Sequence, residues 1–297
     1  MSRTRILVAL ILVFSLLRSL APATAIGPDE APLLKNEPEA LGPVEASSTW
    51  IVVNLFTGRS SKQAVRVRDT FRRLRVGGRG IVLPYKDITV ANMLKMRPAF
   101  LALSPNGIPW CRYRGKNKTY LEAFLKDLRV IVEQLNIPVI GICGGHQALA
   151  LAFGGKVGPI RGGEDDCFPY GKNPTERGRR NIYVTQDDPL FEGMGPSLNL
   201  VQNHYDEVKR LPQGFLWLAE NKLSPHQIIR HPTKPAYGVQ AHTEYFYKAR
   251  PDGGTLLKNF LRIANTHNEL VRKPGLDGMT IPAVQTKRPI ERSGTLW

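Results

Sequence analysis

The segment Gly141-Ile142-Cys143-Gly144-Gly145-His146-Gln147 is the part of this chain best suited to covalent chemistry. It follows the apolar run Ile137-Pro138-Val139-Ile140 and precedes Ala148-Leu149-Ala150-Leu151-Ala152-Phe153, which has helical character. A cysteine is thereby placed between a buried strand and a helix start. Flanking glycines remove Cβ atoms where a tight turn crowds the backbone, the arrangement of a nucleophile elbow. A helix N-terminus behind the sulfur favours thiolate over thiol. Such a nucleophile needs a base to hold and relay its proton, and the base needs an orienting group. Ala236-Tyr237-Gly238-Val239-Gln240-Ala241-His242-Thr243-Glu244 offers both, as a strand running into a turn. His242 and Glu244 are two apart and share a face on extended backbone, so a slight turn brings carboxylate to imidazole.

These groups must be carried by regular elements. Trp50–Phe56, Gly80–Pro84 and Ala99–Leu103 read as strands, with helical character over 61–75 and 88–96 between them. Residues 119–136 form a strong amphipathic helix through Leu121, Phe124, Leu125, Leu128, Ile131, Val132 and Leu135. Strand–helix alternation of this kind argues for a parallel sheet covered on both faces, with functional groups at the carboxyl ends of the strands. The second half is richer in strands, at 181–185, 198–202, 214–219, 226–230 and 236–241, and a helix near 253–265 closes the body. The loop 161–180 separates the halves and is placed to cover the site. The expected organisation is a leader over 1–25, a proline-rich linker over 26–47, a folded domain over 48–265 and a tail over 266–297.

The two motifs, G-I-C-G-G-H-Q and Y-G-V-Q-A-H-T-E, resemble those of the class I glutamine amidotransferase domain, G-x-C-x-G-x-Q followed by G-V-Q-F-H-P-E. The resemblance spans about residues 50–262 and includes Leu103-Ser104-Pro105-Asn106-Gly107, Asp188–Met194 and Val201-Gln202-Asn203-His204-Tyr205. It implies an α/β fold of flavodoxin-like type, a three-layer sandwich with a central, mostly parallel sheet. It implies that Cys143 attacks a glutamine γ-carbonyl to form a γ-glutamyl thioester, that His242 protonates the leaving ammonia and then activates water, and that Glu244 orients His242. It further implies oxyanion donors at Gly144 and at the loop of Asn106 and Gly107, substrate positioning by Gln147, and backbone contacts to the amino-acid end from Asn203, His204 and Tyr205. No cofactor and no metal are implied. His146 matches a variable position and reads as structural.

The chain departs from the pattern at Thr243, where the family has proline, and at Ala241, where it has phenylalanine; neither change removes a reacting group. Asn106 stands where the oxyanion loop has glycine. Asparagine tolerates positive φ, so the loop can keep its shape, and the source of the second N–H is left open. His226, His231 and His242 have poor spacing for metal ligation.

Composition sets the setting of this chemistry. Lys+Arg 41 against Asp+Glu 25 gives a net charge of +16, which fits an anionic surface partner. The basic residues are scattered, without interleaved aromatics or a nucleic-acid motif. Arg3, Arg5, the apolar stretch Ile6–Leu17 and Ala23-Thr24-Ala25 read as a cleavable secretory signal, too short to span a membrane. No transmembrane span is expected after cleavage, and the protein is expected to be periplasmic or secreted, or cytoplasmic if the leader is not a signal. With three cysteines, at least one thiol stays free. Cys111 and Cys167 can pair if their distance allows. Export favours a stand-alone hydrolase similar to γ-glutamyl hydrolases, since the C-terminal stretch is too short for a synthetase domain. A glutaminase subunit delivering ammonia to a separate synthetase, and a catalytically silent binding module, are the alternatives.

Overall fold

Trp50, Ile51, Val52 and Val53 are all fully buried, as a central strand covered on both faces requires. The structure is a computed structural model describing residues 49–57, 61–164, 166–168 and 174–272. The leader expected over 1–25, the linker over 26–47 and the tail beyond Arg272 lie outside the described residues.

The strands are β1 (Thr49–Asn54), β2 (Arg79–Pro84), β3 (Leu101–Leu103), β4 (Val139–Ile142), β5 (Lys156–Pro159), β6 (Glu176–Val184), β7 (Ser197–His204), β8 (Asp206–Arg210), β9 (Leu216–Glu220), β10 (Ile228–Arg230) and β11 (Ala236–Val239). The α-helices are α1 (Lys62–Arg73), α2 (Val90–Met96), α3 (Gly115–Glu133), α4 (Gly144–Ala152) and α5 (Asp252–Arg272). Nine strands form one sheet in the order β2-β1-β3-β4-β11-β10-β9-β6-β7. The half from β2 to β11 is parallel; β10, β9, β6 and β7 extend it antiparallel. A separate ribbon pairs β5 with β8.

Two apolar layers flank the sheet. On one side Trp50, Phe71, Phe100 and Phe260 join β1, α1, β3 and α5. Trp50 and Phe100 stack with centroids 5.6 Å apart, and Phe260 meets Phe100 edge-on at 5.8 Å. On the other side Ile51, Val53, Phe124, Leu128 and Leu149 pack α3 and α4 against the same strands. The alternation of Trp50 and Val52 with Ile51 and Val53 is the two-residue period of a strand buried on both faces. The three-layer α/β sandwich expected from the sequence is therefore the observed fold.

Two expectations need correction. The closing helix runs to Arg272 rather than 265, so residues 266–272 belong to the folded body. His267 explains the difference: a polar residue occupies a position on the buried stripe, 5% exposed, and satisfies itself by an Nε2 contact of 2.8 Å with the Asn136 carbonyl. The ribbon of β5 and β8 was not anticipated; each of its strands is too short to show a pattern.

Candidate active site

The elbow is as tight as its glycines suggest. Cys143 caps α4 with φ 52° and ψ −105°, a conformation a non-glycine residue holds only when its surroundings enforce it. A Cβ on Gly141 would collide with the Gly145 carbonyl. A Cβ on Gly144 would lie 2.5 Å from the Asn106 backbone nitrogen, so the helix start and the loop after β3 touch through bare backbone. The Cys143 N–H donates to the Val239 carbonyl at 2.8 Å, tying the elbow to the strand that delivers the histidine.

That strand ends in a turn. The His242 N–H donates to the Val201 carbonyl at 2.8 Å, which fixes the imidazole backbone to β7. The ring Nδ1 lies 2.7 Å from Glu244 Oε1. With Nδ1 so occupied, Nε2 is the nitrogen left for the sulfur, and among the described residues it has no other hydrogen-bond partner. All three side chains are buried: Cys143 is 4%, His242 5% and Glu244 2% exposed. Burial alone would push the His242 pKa down, but attraction to the Cys143 sulfur and the Glu244 carboxylate, with hydrogen bonds to both, raises it well above its ordinary value. Thr243, in the place where proline was expected, leaves this geometry intact.

The segment after Glu244 is braced by cations. Arg66 lies 4.7 Å from the Tyr245 ring centroid, Arg73 5.4 Å from Phe246 and Arg179 5.1 Å from Tyr247. Aromatic and basic side chains are thus interleaved in space, contrary to their separation in sequence, because α1 and β6 converge on one turn.

A cavity of about 210 Å³ opens above Cys143, lined among others by Gln147, Asn106, Gly107, Asn203, His204, Tyr205 and His242. Every substrate-contact residue expected from the sequence lines it except Gly144, which lies under its floor. Three of them are already committed. The Asn106 side chain donates to the Ile108 carbonyl at 2.8 Å and to the Tyr113 hydroxyl at 3.1 Å. Tyr205 donates its hydroxyl to the Gly107 carbonyl at 2.8 Å. His204 has Nδ1 2.9 Å from the Asp206 carbonyl and Nε2 2.9 Å from Glu176 Oε2. Asn106 does not adopt positive φ; the loop reaches its shape through its side-chain hydrogen bonds, not through the left-handed backbone that glycine would favour.

Several residues escaped the sequence reading. Gln240 Nε2 donates to the Cys143 sulfur at 3.7 Å. Gln147 Nε2 donates to Gln240 Oε1 at 3.1 Å and to the Asp206 carbonyl at 2.6 Å, while Trp110 Nε1 donates to Gln147 Oε1 at 2.7 Å. Gln147 is therefore a member of a donor chain from Trp110 to the sulfur. Gln63, Thr175 and Arg177 also line the cavity. Asp206 lines it too, and burial, partly offset by His204, pushes its carboxyl up to about 6. Only Gln240 carried a signal, its place in the G-V-Q motif.

Other groups do structural work. His146 is fully buried beneath the elbow, and burial, with His226 nearby, pushes its pKa down to about 3. His226 contacts the Val208 carbonyl and His231 packs against Phe153 and Phe215, so neither reaches His242. Among the described residues no cluster of acidic, histidine or cysteine side chains could hold a metal, and no helix is long and apolar enough to cross a membrane. Cys111 and Cys167 form a disulfide with Cα atoms 5.9 Å apart, leaving Cys143 as the free thiol.

Comparison with known proteins adds a lineage to this geometry. The family model described as Glutamine amidotransferase class-I matches residues 113–264. The glutamine-hydrolyzing subunit of GMP synthase from Methanosarcina acetivorans is 38% identical over 137 residues, covering 46% of this chain and 65% of that protein. The match thus spans just under two thirds of that relative's length. The corresponding GMP synthase subunit of Pyrococcus abyssi is 32% identical over 167 residues, covering 54% of this chain and 77% of that protein. The crystal structure of a protein from Thermoplasma acidophilum, described as a GMP synthase subunit, superposes with a TM-score of 0.59 at 23% identity, over 76% of this chain and 98% of that one, a likeness of fold.

Proposed function

The chain belongs to the class I glutamine amidotransferase family, and on that premise we propose that it hydrolyses the γ-amide of glutamine or of a γ-glutamyl conjugate through a thioester on Cys143. The observation that carries this reading is the meeting of Cys143, His242 and Glu244, with the Nδ1–Oε1 contact of 2.7 Å orienting the ring. The Cys143 sulfur attacks the γ-carbonyl carbon and the carbonyl π pair moves to oxygen. The N–H of Gly144 and a backbone N–H of the Asn106–Gly107 loop stabilise that oxyanion. Collapse of the intermediate breaks the C–N bond, and His242 Nε2–H supplies the proton that lets ammonia or an amine depart. His242 then takes a proton from water, whose oxygen attacks the thioester carbon. The C–S bond breaks, releasing the γ-carboxylate and restoring the sulfur.

The cavity supports a small substrate, since its 210 Å³ falls below the roughly 300–1,000 Å³ that holds drug-sized ligands. The test is release of ammonia from L-glutamine and of amine from γ-glutamyl peptides by the isolated chain, with Cys143→Ser as control. Absence of turnover on both panels rejects the reading and favours a silent binding module.

Two settings fit this chemistry. Export is supported by the leader-like residues 1–25 and by the Cys111–Cys167 disulfide, a bond that persists in oxidising compartments; there the chain acts as a stand-alone hydrolase. The second setting, in which the chain donates ammonia to a separate synthetase, is supported by relatives that bear the name of the glutamine-hydrolyzing subunit of GMP synthase. A stand-alone hydrolase turns over L-glutamine at full rate without a partner, whereas an ammonia donor is slow until its synthetase and the acceptor are added. Secretion with loss of residues 1–25 from an expressing cell, read by mass spectrometry, tests the location.

A further inference from the structure

The cavity has a charged mouth that the thioester chemistry does not use. On β6, Glu176 points inward to His204, while the next residue, Arg177, points outward and lines the cavity. Strand alternation makes this obligatory: a buried Glu176 places its neighbour on the opposite face. The register pairs Arg177 directly with Asn203 of β7, and Asn203 lines the same cavity. A guanidinium and a carboxamide thus stand side by side at its exposed rim. Among the described residues Arg177 is the one Arg or Lys side chain lining the cavity, and it has no carboxylate partner there. Elsewhere on β6 and α1 the arginines are engaged: Arg179 on Tyr247, Arg66 on Tyr245, and Arg68 with Asp69 at 2.9 Å.

We propose that Arg177 and Asn203 form a carboxylate subsite that anchors the α-carboxylate of the γ-glutamyl group while its γ-carbonyl sits at Cys143. The fork of a guanidinium matches a carboxylate through two parallel hydrogen bonds, and the Asn203 amide adds a neutral donor beside it. The polar side chains deeper in the cavity are spent on the protein: Tyr205 on the Gly107 carbonyl, His204 on Glu176 and Asp206, Gln147 on Trp110 and Gln240. The rim is where charge recognition remains available. The substrate class follows: free glutamine, or a γ-glutamyl compound whose α-carboxylate is unblocked, rather than a glutamine residue within a peptide.

This inference rests on the hydrolase reading, and its test separates the two. L-Glutamine, glutamine α-amide, γ-glutamylglycine and γ-glutamylglycinamide are compared on the wild-type chain and on Arg177→Ala. The expected result is a rise in KM for L-glutamine of about 10- to 100-fold in the variant with kcat nearly unchanged, and no further loss on the α-amide. Arg177→Lys should restore part of the discrimination. Equal loss on glutamine and its α-amide, or no change in either, overturns the subsite. A variant that discriminates only between γ-glutamylglycine and its glycinamide overturns it too, because the guanidinium would then serve the leaving amine. Protection of Cys143 from iodoacetamide by L-glutamate but not by its α-amide, lost in Arg177→Ala, reads the subsite without turnover; absence of that protection overturns it even where hydrolysis proceeds.

Discussion

The indole of Trp110 donates to the side-chain oxygen of Gln147 at 2.7 Å, and this one bond connects the disulfide to the elbow. Trp110 precedes Cys111, whose partner Cys167 lies 56 residues away, and Arg112 on its other side donates to the Phe168 carbonyl at 3.0 Å. The short turn bearing Trp110 is thereby fastened to the loop that crosses the site. Gln147 passes the constraint on through Gln240 to the sulfur of Cys143. Trp110→Phe keeps the ring and deletes the donor, leaving a buried amide oxygen short of a partner at a cost of about 1–2 kcal/mol. A fall in kcat of about 5- to 30-fold with unchanged fold is expected, read by steady-state ammonia release and far-UV circular dichroism.

The disulfide itself closes a loop of 56 residues, worth up to about 4 kcal/mol through chain entropy in the unfolded state. The Cys111→Ser, Cys167→Ser double variant should therefore melt well below the oxidised wild type and match the reduced wild type. Thermal unfolding with and without reductant checks this, and equal melting temperatures in all three samples would contradict it.

Much of this site was legible because its chemistry dictates residue types. A sulfur nucleophile needs glycines around it and a base elsewhere, and Cys143, Gly144, His242 and Glu244 satisfied that demand from the sequence. The donor chain was hidden for the opposite reason. Trp110, Gln147 and Gln240 are separated by 37 and 93 residues, and any of them could have been a solvated or core side chain. Arg177 was hidden among other arginines; only the register of β6 with β7 sets it beside Asn203. The parallel half of the sheet announced itself through continuous apolar runs, whereas the β5–β8 ribbon and the last turns of α5 lacked any period strong enough to read.

Gly144 meets the loop after β3 through bare backbone, with 2.5 Å between a hypothetical Cβ and the Asn106 nitrogen. Gly144→Ala must push that loop away and spoil the pocket in which the oxyanion forms. The expected fall in kcat is about 100-fold or more, the size of losing an oxyanion donor, while iodoacetamide still alkylates Cys143. Loss of alkylation together with turnover would point instead to a collapsed elbow.

Glu244 sets both the orientation and the charge of His242. Glu244→Gln removes one of the attractions that hold the imidazole pKa high, so its titration by NMR should move down, and kcat should fall by about 10³-fold or more through misorientation. Stability follows the same sign. A raised folded-state pKa stabilises in full below the unfolded histidine value of about 6.5 and is lost only as pH rises through the higher folded value. The stability gap between wild type and Glu244→Gln should therefore be widest at or below about pH 6 and narrow in alkali; a gap that widens with rising pH would reverse the assignment.

Asp206 carries the opposite consequence. Burial lifts its carboxyl to about 6, despite the offsetting attraction of His204, so ionisation costs more in the folded chain than in the unfolded one. The folded state holds the proton more tightly, and stability must rise as pH falls from above 6 toward the unfolded value near 4. At pH 7.5 the penalty amounts to as much as about 3 kcal/mol. Asp206→Asn keeps an oxygen for the Trp110 N–H while removing the charge. Its chemical-denaturation stability should exceed that of the wild type at pH 7.5, and the advantage should shrink as the pH is lowered through 6 and vanish near 4. A constant difference across that range would mean that the Asp206 charge is already compensated in the folded chain, and that the cavity floor is more polar than its burial implies.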